Sequence, residues 1–379
     1  MNKVPFAAAR GRAPRAAVLA LSCLCWLLVG LAAVGRAAPP VPEHGAVAVC
    51  SAILYDLDQD AILFEQNADV PIPPASLTKV LSMFLALDQI RAGLASLNSP
   101  VTVSRLAART GGSRMGLRQR EQLTLEQLLT GMAVSSGNDA STAVAEFVGG
   151  SVPAFVNMMN AKARSLGMRD SVFRNPHGLP ARGQVTTARD MLALARAYLR
   201  TYPEALRFHS THVLNHRGSV TWNRNPLLGQ YPGADGLKTG WTNASGYNLI
   251  FTATQGNRRL LAVIMGAPDS RTRSVEAFRL LDAGFKVCAN QAVSVAAALD
   301  ALPPNAYRPD PHLLAREASR LYAGADQTPR KQQVRKAARQ QDKHLKAAKT
   351  KKAAGQKAAR HKRADGQAAR RVAAANQAS

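Results

Sequence analysis

The stretch Pro73-Pro74-Ala75-Ser76-Leu77-Thr78-Lys79 is followed directly by the apolar run VLSMFLAL at residues 80–87. The two prolines end whatever element precedes them and favour a turn before the run. The run itself predicts a helix that ends near Gly93. Ser76 and Lys79 therefore lie three residues apart in the first helical turn, on one face.

This pair has the side chains of a nucleophile and its base. A serine hydroxyl becomes a good nucleophile when a base removes its proton. The amine of Lys79 can be that base if burial or a neighbouring positive charge keeps it neutral. Backbone N–H groups at the helix start can stabilise an oxyanion beside Ser76. The same spacing also occurs at ordinary helix starts with a solvated lysine, so this stretch alone leaves both interpretations open.

Residues 1–37 have the pattern of a secretory signal peptide. An apolar run of 19 residues (16–34) precedes the small residues Gly35 and Ala37, which predicts cleavage after Ala37 and export to the periplasm or cell envelope. An uncleaved run would be long enough to anchor the chain in a membrane. The positive charges before the run are Lys3, Arg10, Arg12 and Arg15.

Removal of the signal would leave two cysteines, Cys50 and Cys288. An exported compartment permits a disulfide between them. The alternative is a pair of buried free thiols. The sequence leaves both possibilities open.

The periodicity of the chain predicts an α+β fold. A hairpin over 45–65 and a later three-stranded meander form a sheet of about five antiparallel strands, with helices on its faces. Residues 94–210 are mostly helical and form a helical subdomain. The meander strands are 237–242, 247–254 and 260–265, and a helix from Thr272 to Phe285 follows them.

We predict a catalytic domain over 38–289, a linker with short helices over 290–327 and a disordered tail over 328–379. The tail holds 16 Lys and Arg against two Asp, and the whole chain carries a net charge of +25. In an exported protein, its expected partners are anionic envelope polymers or lipid headgroups. Nucleic acid, which such a tail could bind in the cytoplasm, is not an expected partner.

Three short motifs carry chemistry together: Ser76-x-x-Lys79, Ser136-Gly137-Asn138 and Lys238-Thr239-Gly240. They lie, in this order, on a helix start, a break between helices and a strand, as in the related set of β-lactamases and penicillin-binding proteins. Over about residues 42–287 the sequence resembles the low-molecular-mass penicillin-binding proteins, the serine-type D-Ala-D-Ala carboxypeptidases. Residues 175–179 and 221–228 also resemble that family.

The resemblance implies a β-lactamase/transpeptidase-like fold and a serine mechanism without metal or organic cofactor. Ser76 would attack the carbonyl between the two terminal D-alanines of a peptidoglycan stem peptide and form an acyl-enzyme. Lys79 would take the proton, and Ser136 would pass it towards the departing amine. The N–H groups of Ser76 and Trp241 would form the oxyanion hole.

The resemblance also assigns the substrate contacts. Asn138 would hold Lys79 and the substrate amide. Lys238 and Thr239 would bind the terminal carboxylate, and Lys238 would help to keep Lys79 neutral. Gly240 would let the substrate backbone lie against the strand.

Alternative functions share parts of this pattern. Residues 167–187 lack the glutamate with which class A β-lactamases activate water, so β-lactam antibiotics are expected to acylate the protein without fast hydrolysis. A D,D-endopeptidase that cuts cross-links would use the same residues, and a non-catalytic envelope-binding protein would act through its tail. The spacing of His209, His212 and His216 offers a weaker zinc interpretation, because it spans an expected transition from helix to strand and metal ligands need convergent geometry.

Overall fold

The computed structural model describes residues 44–310 and Leu313 of the 379-residue chain. Its centre is a five-stranded sheet whose neighbouring strands all pair antiparallel, as predicted. The strands are β1 (Ser51–Asp56), β2 (Ala61–Gln66), β7 (Ala234–Thr242), β8 (Gly246–Gln255) and β9 (Arg258–Ala267). Their order across the sheet is β2-β1-β9-β8-β7, which leaves β7 at an edge.

Two small antiparallel pairs and a set of helices surround this sheet. The pairs are β3 (Pro100–Thr102) with β4 (Gln122–Thr124), and β5 (Val213–His216) with β6 (Ser219–Trp222). The helices are α1 (Thr78–Arg91), α2 (Arg105–Arg109), α3 (Leu125–Val134), α4 (Asn138–Gly149), α5 (Val152–Ser165), α6 (Ala188–Thr201), α7 (Leu206–His209), α8 (Ser270–Cys288) and α9 (Val295–Asp300). This architecture confirms the predicted fold class.

The sheet divides the apolar core in two, as the alternation along β9 shows. Leu261 and Val263 belong to the cluster that contains α1 and the helical subdomain. Leu260 and Ala262 belong to the cluster that contains α8 and α9. Because successive side chains of a strand point to opposite faces, a strand covered on both faces is apolar throughout.

Helix α1 is buried on every side. All residues from Thr78 to Leu87 are buried, including Lys79, although lysine side chains are usually charged and exposed. A helix that is apolar all round belongs in the interior of a protein. The sequence therefore places Lys79 in the core, where its amine loses its water shell.

The state of the two cysteines differs from both alternatives, a disulfide and a pair of buried free thiols. They are free thiols, so no disulfide joins them, and Cys50 is exposed while Cys288 is partly buried. The Cys288 thiol lies 3.6 Å from an Asp56 carboxylate oxygen. Burial, together with the negative charge of Asp56, raises the pKa of the Cys288 thiol.

The chain beyond α8 continues to pack on the domain as far as it is described. Val295 and Leu299 of α9 are buried, and the Arg279 guanidinium donates to the carbonyls of Leu299 and Leu302. The predicted signal peptide and basic tail lie outside the described residues. Between His44 and Asp310, no helix combines the length and the apolar character that crossing a bilayer requires.

Candidate active site

The three motifs meet where α1 begins, where α3 gives way to α4, and at the free edge of β7. Ser76 lies in a tight turn over Ala75–Leu77. Gly240 of β7 lies so near this turn that a Cβ atom there would be 3.1 Å from the Ser76 nitrogen. A residue larger than glycine would require the strand or the turn to shift by a few tenths of an ångström. Ser76, Ser136, Thr239, Gly240 and Trp241 line one cleft of about 620 Å³.

Lys79 connects these pieces. Its Nζ lies 2.9 Å from Ser76 Oγ, 2.7 Å from Asn138 Oδ1 and 2.7 Å from the His177 carbonyl oxygen. The amide and carbonyl oxygens can only accept hydrogen bonds. They occupy the two N–H bonds of a neutral amine, and its lone pair then remains for the Ser76 hydroxyl proton.

The surroundings favour that neutral form. Burial lowers the pKa of Lys79 well below its usual value, and the positive charge of Lys238 lowers it further, while Asp139 partly opposes both effects. Desolvation and a like charge both disfavour an ammonium ion. The geometry and the electrostatics therefore describe a base in contact with a serine hydroxyl.

The break between α3 and α4 supplies Ser136 and Asn138. Ser136 is buried and adopts a left-handed backbone with φ 55°, an unusual conformation for a residue other than glycine. Asn138, the first residue of α4, also donates from Nδ2 to the Gly111 carbonyl. Strained conformations of this kind concentrate at functional sites because the surrounding structure enforces them.

Asp139 is a supporting residue that the sequence analysis missed. Its carboxylate accepts hydrogen bonds from the backbone N–H groups of Met115, Gly116 and Leu117 at 2.8–3.0 Å. These contacts hold the loop whose Ser113 lines the cleft. The presence of an acidic residue directly after Asn138 was the sequence signal that could have revealed this role.

The loop over residues 175–179 contacts Lys79 through a backbone carbonyl. Its Pro176 carbonyl accepts from the hydroxyls of Ser82 and Ser141 at 2.7 and 2.6 Å. The neighbouring His177 carbonyl is the one that contacts Lys79. Burial, with a contribution from Lys79, lowers the pKa of His177 to about 3, so its ring is neutral. The sequence indicated a turn here but not this backbone acceptor.

Arg224 and Arg273 line the cleft, and a third basic residue, the buried Lys238, donates to the Thr239 carbonyl at 2.9 Å. Burial, followed by the charges of Arg224 and Arg273, lowers the pKa of Lys238 to about 7. Burial also lowers the pKa of Arg273 to about 10, and its Nε has no hydrogen-bond partner among the described residues. A guanidinium group with an unpaired, buried Nε, in the cleft that Thr239 also lines, suits an anionic ligand group. The sequence analysis gave neither arginine a role.

The three histidines that suggested zinc have different surroundings. His209 is fully buried, with Nδ1 3.0 Å from the Leu237 carbonyl and Nε2 3.1 Å from the Tyr198 hydroxyl. Both ring nitrogens therefore contact the protein itself. No group of three metal-ligating side chains occurs within the described part of the chain.

Known proteins are similar to this chain in sequence and in fold. Residues 36–269 match the D-alanyl-D-alanine carboxypeptidase family, peptidase S11. The chain is 37% identical over 240 residues to D-alanyl-D-alanine carboxypeptidase DacF of Bacillus subtilis (strain 168), covering 62% of this chain and 61% of that protein. It is also 37% identical over 255 residues to D-alanyl-D-alanine carboxypeptidase DacA of Escherichia coli (strain K12), covering 65% and 62%. The match thus spans about three fifths of the length of these relatives.

Solved structures agree with these matches. Penicillin-binding protein 5 from Haemophilus influenzae superposes with a TM-score of 0.62 at 34% identity, covering 65% of this chain and 72% of that one. Penicillin-binding protein D2 from Listeria monocytogenes, in its ampicillin-bound form, gives a TM-score of 0.58 at 29% identity, covering 63% and 98%. On these matches, the chain belongs to the peptidase S11 family of D-alanyl-D-alanine carboxypeptidases, which includes low-molecular-mass penicillin-binding proteins.

Proposed function

We propose that this chain is a serine carboxypeptidase that removes the terminal D-alanine from peptidoglycan stem peptides. The contact of 2.9 Å between Lys79 Nζ and Ser76 Oγ is the observation that carries this proposal. A nucleophile and a buried base in contact are needed for acyl transfer and have no use in a purely binding protein. The proposed reaction needs no metal or organic cofactor.

In the acylation step, Ser76 Oγ attacks the carbonyl carbon of the penultimate D-alanine. The hydroxyl proton moves to Lys79 as the O–C bond forms, and the N–H groups of Ser76 and Trp241 stabilise the oxyanion. The peptide C–N bond then breaks. The proton passes through the Ser136 hydroxyl to the nitrogen of the departing D-alanine. Water later attacks the acyl-enzyme, and the released Ser76 oxygen regains a proton.

The cationic end of the cleft would hold the terminal carboxylate. Lys238 and Thr239 are the expected contacts, and the position of Arg273 in the same cleft adds a third. Asn138 would hold the substrate amide, and Gly240 would admit the substrate backbone beside β7.

The first test is the mass of the purified protein before and after benzylpenicillin. We expect a stable increase equal to one penicillin in the wild type and in Ser165→Ala, a control on the far end of α5, but none in Ser76→Ala. A folded wild-type protein that takes up no penicillin would instead favour the envelope-binding alternative. Release of D-alanine from a stem pentapeptide, compared with cleavage of a cross-linked dimer, separates the carboxypeptidase from the endopeptidase.

Lys238, after burial, should help to determine the pH at which acylation begins. Acylation needs neutral Lys79, so its rate rises as pH increases through the Lys79 pKa. Lys238→Ala removes a like charge, which raises the Lys79 pKa and moves the rising limb of the plot of rate against pH to higher pH. For each pH unit by which the limb moves, the rate at a given pH on the limb falls about tenfold. Lys238→Arg has a positive charge at this position and should not move the limb to higher pH. Labelling rates with a fluorescent penicillin, measured against pH, check this, and an unmoved limb in Lys238→Ala would contradict it.

We also propose an exported location and an anionic envelope polymer as the partner of the basic tail. The last continuous part of the described chain lies at the cleft: Asp310 lines it, and the Asp310 backbone forms two hydrogen bonds with the Gln230 side chain. In the sequence, the predicted tail begins 18 residues after Asp310. Salt-sensitive sedimentation with insoluble peptidoglycan, lost on removal of residues 328–379, would show this binding.

A further inference from the structure

Both tryptophans of the described chain are exposed, and both line the cleft. Trp222 is 40% and Trp241 53% exposed. The third tryptophan of the sequence, Trp26, lies outside the described residues. Large aromatic side chains are usually highly buried, so two exposed indole rings in one cleft suggest a surface that a ligand covers.

The two rings come from different parts of the fold, at positions that neighbouring contacts fix. Trp241 packs on Tyr247 with ring centroids 5.8 Å apart, and the Arg273 guanidinium lies 5.9 Å from the Tyr247 ring. Trp222 ends β6, and the next residue, Asn223, donates to the carbonyls of His209 and Thr211. Neither indole needs a large backbone movement to meet a ligand.

The register of β7 indicates which part of a stem peptide would reach Trp241. With the terminal carboxylate at Thr239, an extended peptide beside this edge strand runs past Gly240 towards Trp241. Two strand residues span about 7 Å, the same as two residues of an extended peptide. Trp241 therefore lies beside the third residue from the substrate's carboxyl end.

We propose that Trp222 and Trp241 bind the aliphatic side chain of the stem-peptide residue that precedes D-Ala-D-Ala. This proposal rests on the proposed function and names the substrate class of the same cleft. The alanines offer only methyl groups, whereas the aliphatic stem of a longer side chain can cover indole faces. The positive charges of Arg224 and Arg273 disfavour an ammonium group inside the cleft, so the rings meet the methylenes while the polar end of that side chain stays in water.

The test compares two substrates that differ only in that residue: a tripeptide with a long aliphatic side chain before D-Ala-D-Ala, and one with glycine there. Trp222→Ala should lower kcat/KM for the first substrate at least about tenfold more than for the second, mainly through KM. Phe147→Ala is the matched control, since Phe147 is 36% exposed and lines a different groove. It should leave both values unchanged.

A second readout uses the tryptophans themselves. In the Ser76→Ala chain, which should bind without turnover, the long-chain tripeptide should shift tryptophan fluorescence, and Trp222→Phe should remove part of that shift. Equal losses for both substrates, or no fluorescence change at saturation, would overturn the proposal while penicillin acylation still supported the proposed function. Absence of the penicillin adduct would instead reject the proposed function itself. Weak tripeptide binding with strong binding of a glycan strand would assign the rings to sugar.

Discussion

Replacing Lys79 with methionine is expected to lower the rate of acylation by benzylpenicillin by about 10⁴-fold. Methionine fills a similar volume in the buried α1, so the change removes the amine while retaining most of the packing. Without Lys79, no other base contacts Ser76 Oγ among the described residues. The measurement is the second-order labelling rate at neutral pH.

Two controls test whether the loss of labelling comes from the missing amine of Lys79. Lys286→Met, in the last turn of α8, removes a lysine away from the cleft and should label like the wild type. The far-ultraviolet circular dichroism of Lys79→Met should match that of the wild type, because the acceptors on Asn138 and His177 lose only one donor. A folded Lys79→Met that labels at the wild-type rate would exclude Lys79 as the base.

Gly178→Ala should be far more damaging than its small size suggests. Gly178 has φ 85°, and a Cβ atom there would lie 1.7 Å from the carbonyl oxygen of Ala75, the residue before the nucleophile. Contact at that distance forces the loop 175–179 away from the Ser76 turn. We expect the free energy of unfolding to fall by more than about 4 kcal/mol and penicillin labelling to be lost.

Gly150→Ala is the control that separates the effect of the steric contact from the effect of the positive φ angle. Gly150 also has positive φ, at 70°, but a Cβ atom there meets nothing within 4 Å. Its expected cost is about 1–2 kcal/mol, with labelling retained. Urea unfolding of both variants measures the difference, and equal losses would mean that the approach to Ala75 is unimportant.

The sheet and the motif residues were predictable because their signals are local. Apolar runs bounded by turns mark β8 and β9, and each motif lies at an element boundary that polar residues and glycine reveal. The approach of Ser76, Asn138 and Lys238 to Lys79 could be expected only from the resemblance, since no local rule relates residues so far apart.

What the sequence did not reveal depends on contacts between distant residues. The His177 carbonyl is 98 positions from Lys79, and a backbone acceptor has no residue type by which to recognise it. Arg273 looks like any charged residue near the start of a helix, yet packing leaves it buried. The state of Cys50 and Cys288 depends on where the sheet ends and α8 stops, which pattern analysis locates only within a few residues.

The burial of Lys79 in α1 makes activity a sensor of native packing. If the core loosens enough to admit water, the Lys79 pKa returns towards the ordinary value of 10.5, and the amine becomes a cation at neutral pH. An expanded state that kept its secondary structure would therefore lose its base before it lost its helices. The fraction of chains that penicillin labels would then measure the population with an intact interior, and inactivation on heating would precede the loss of helical circular dichroism.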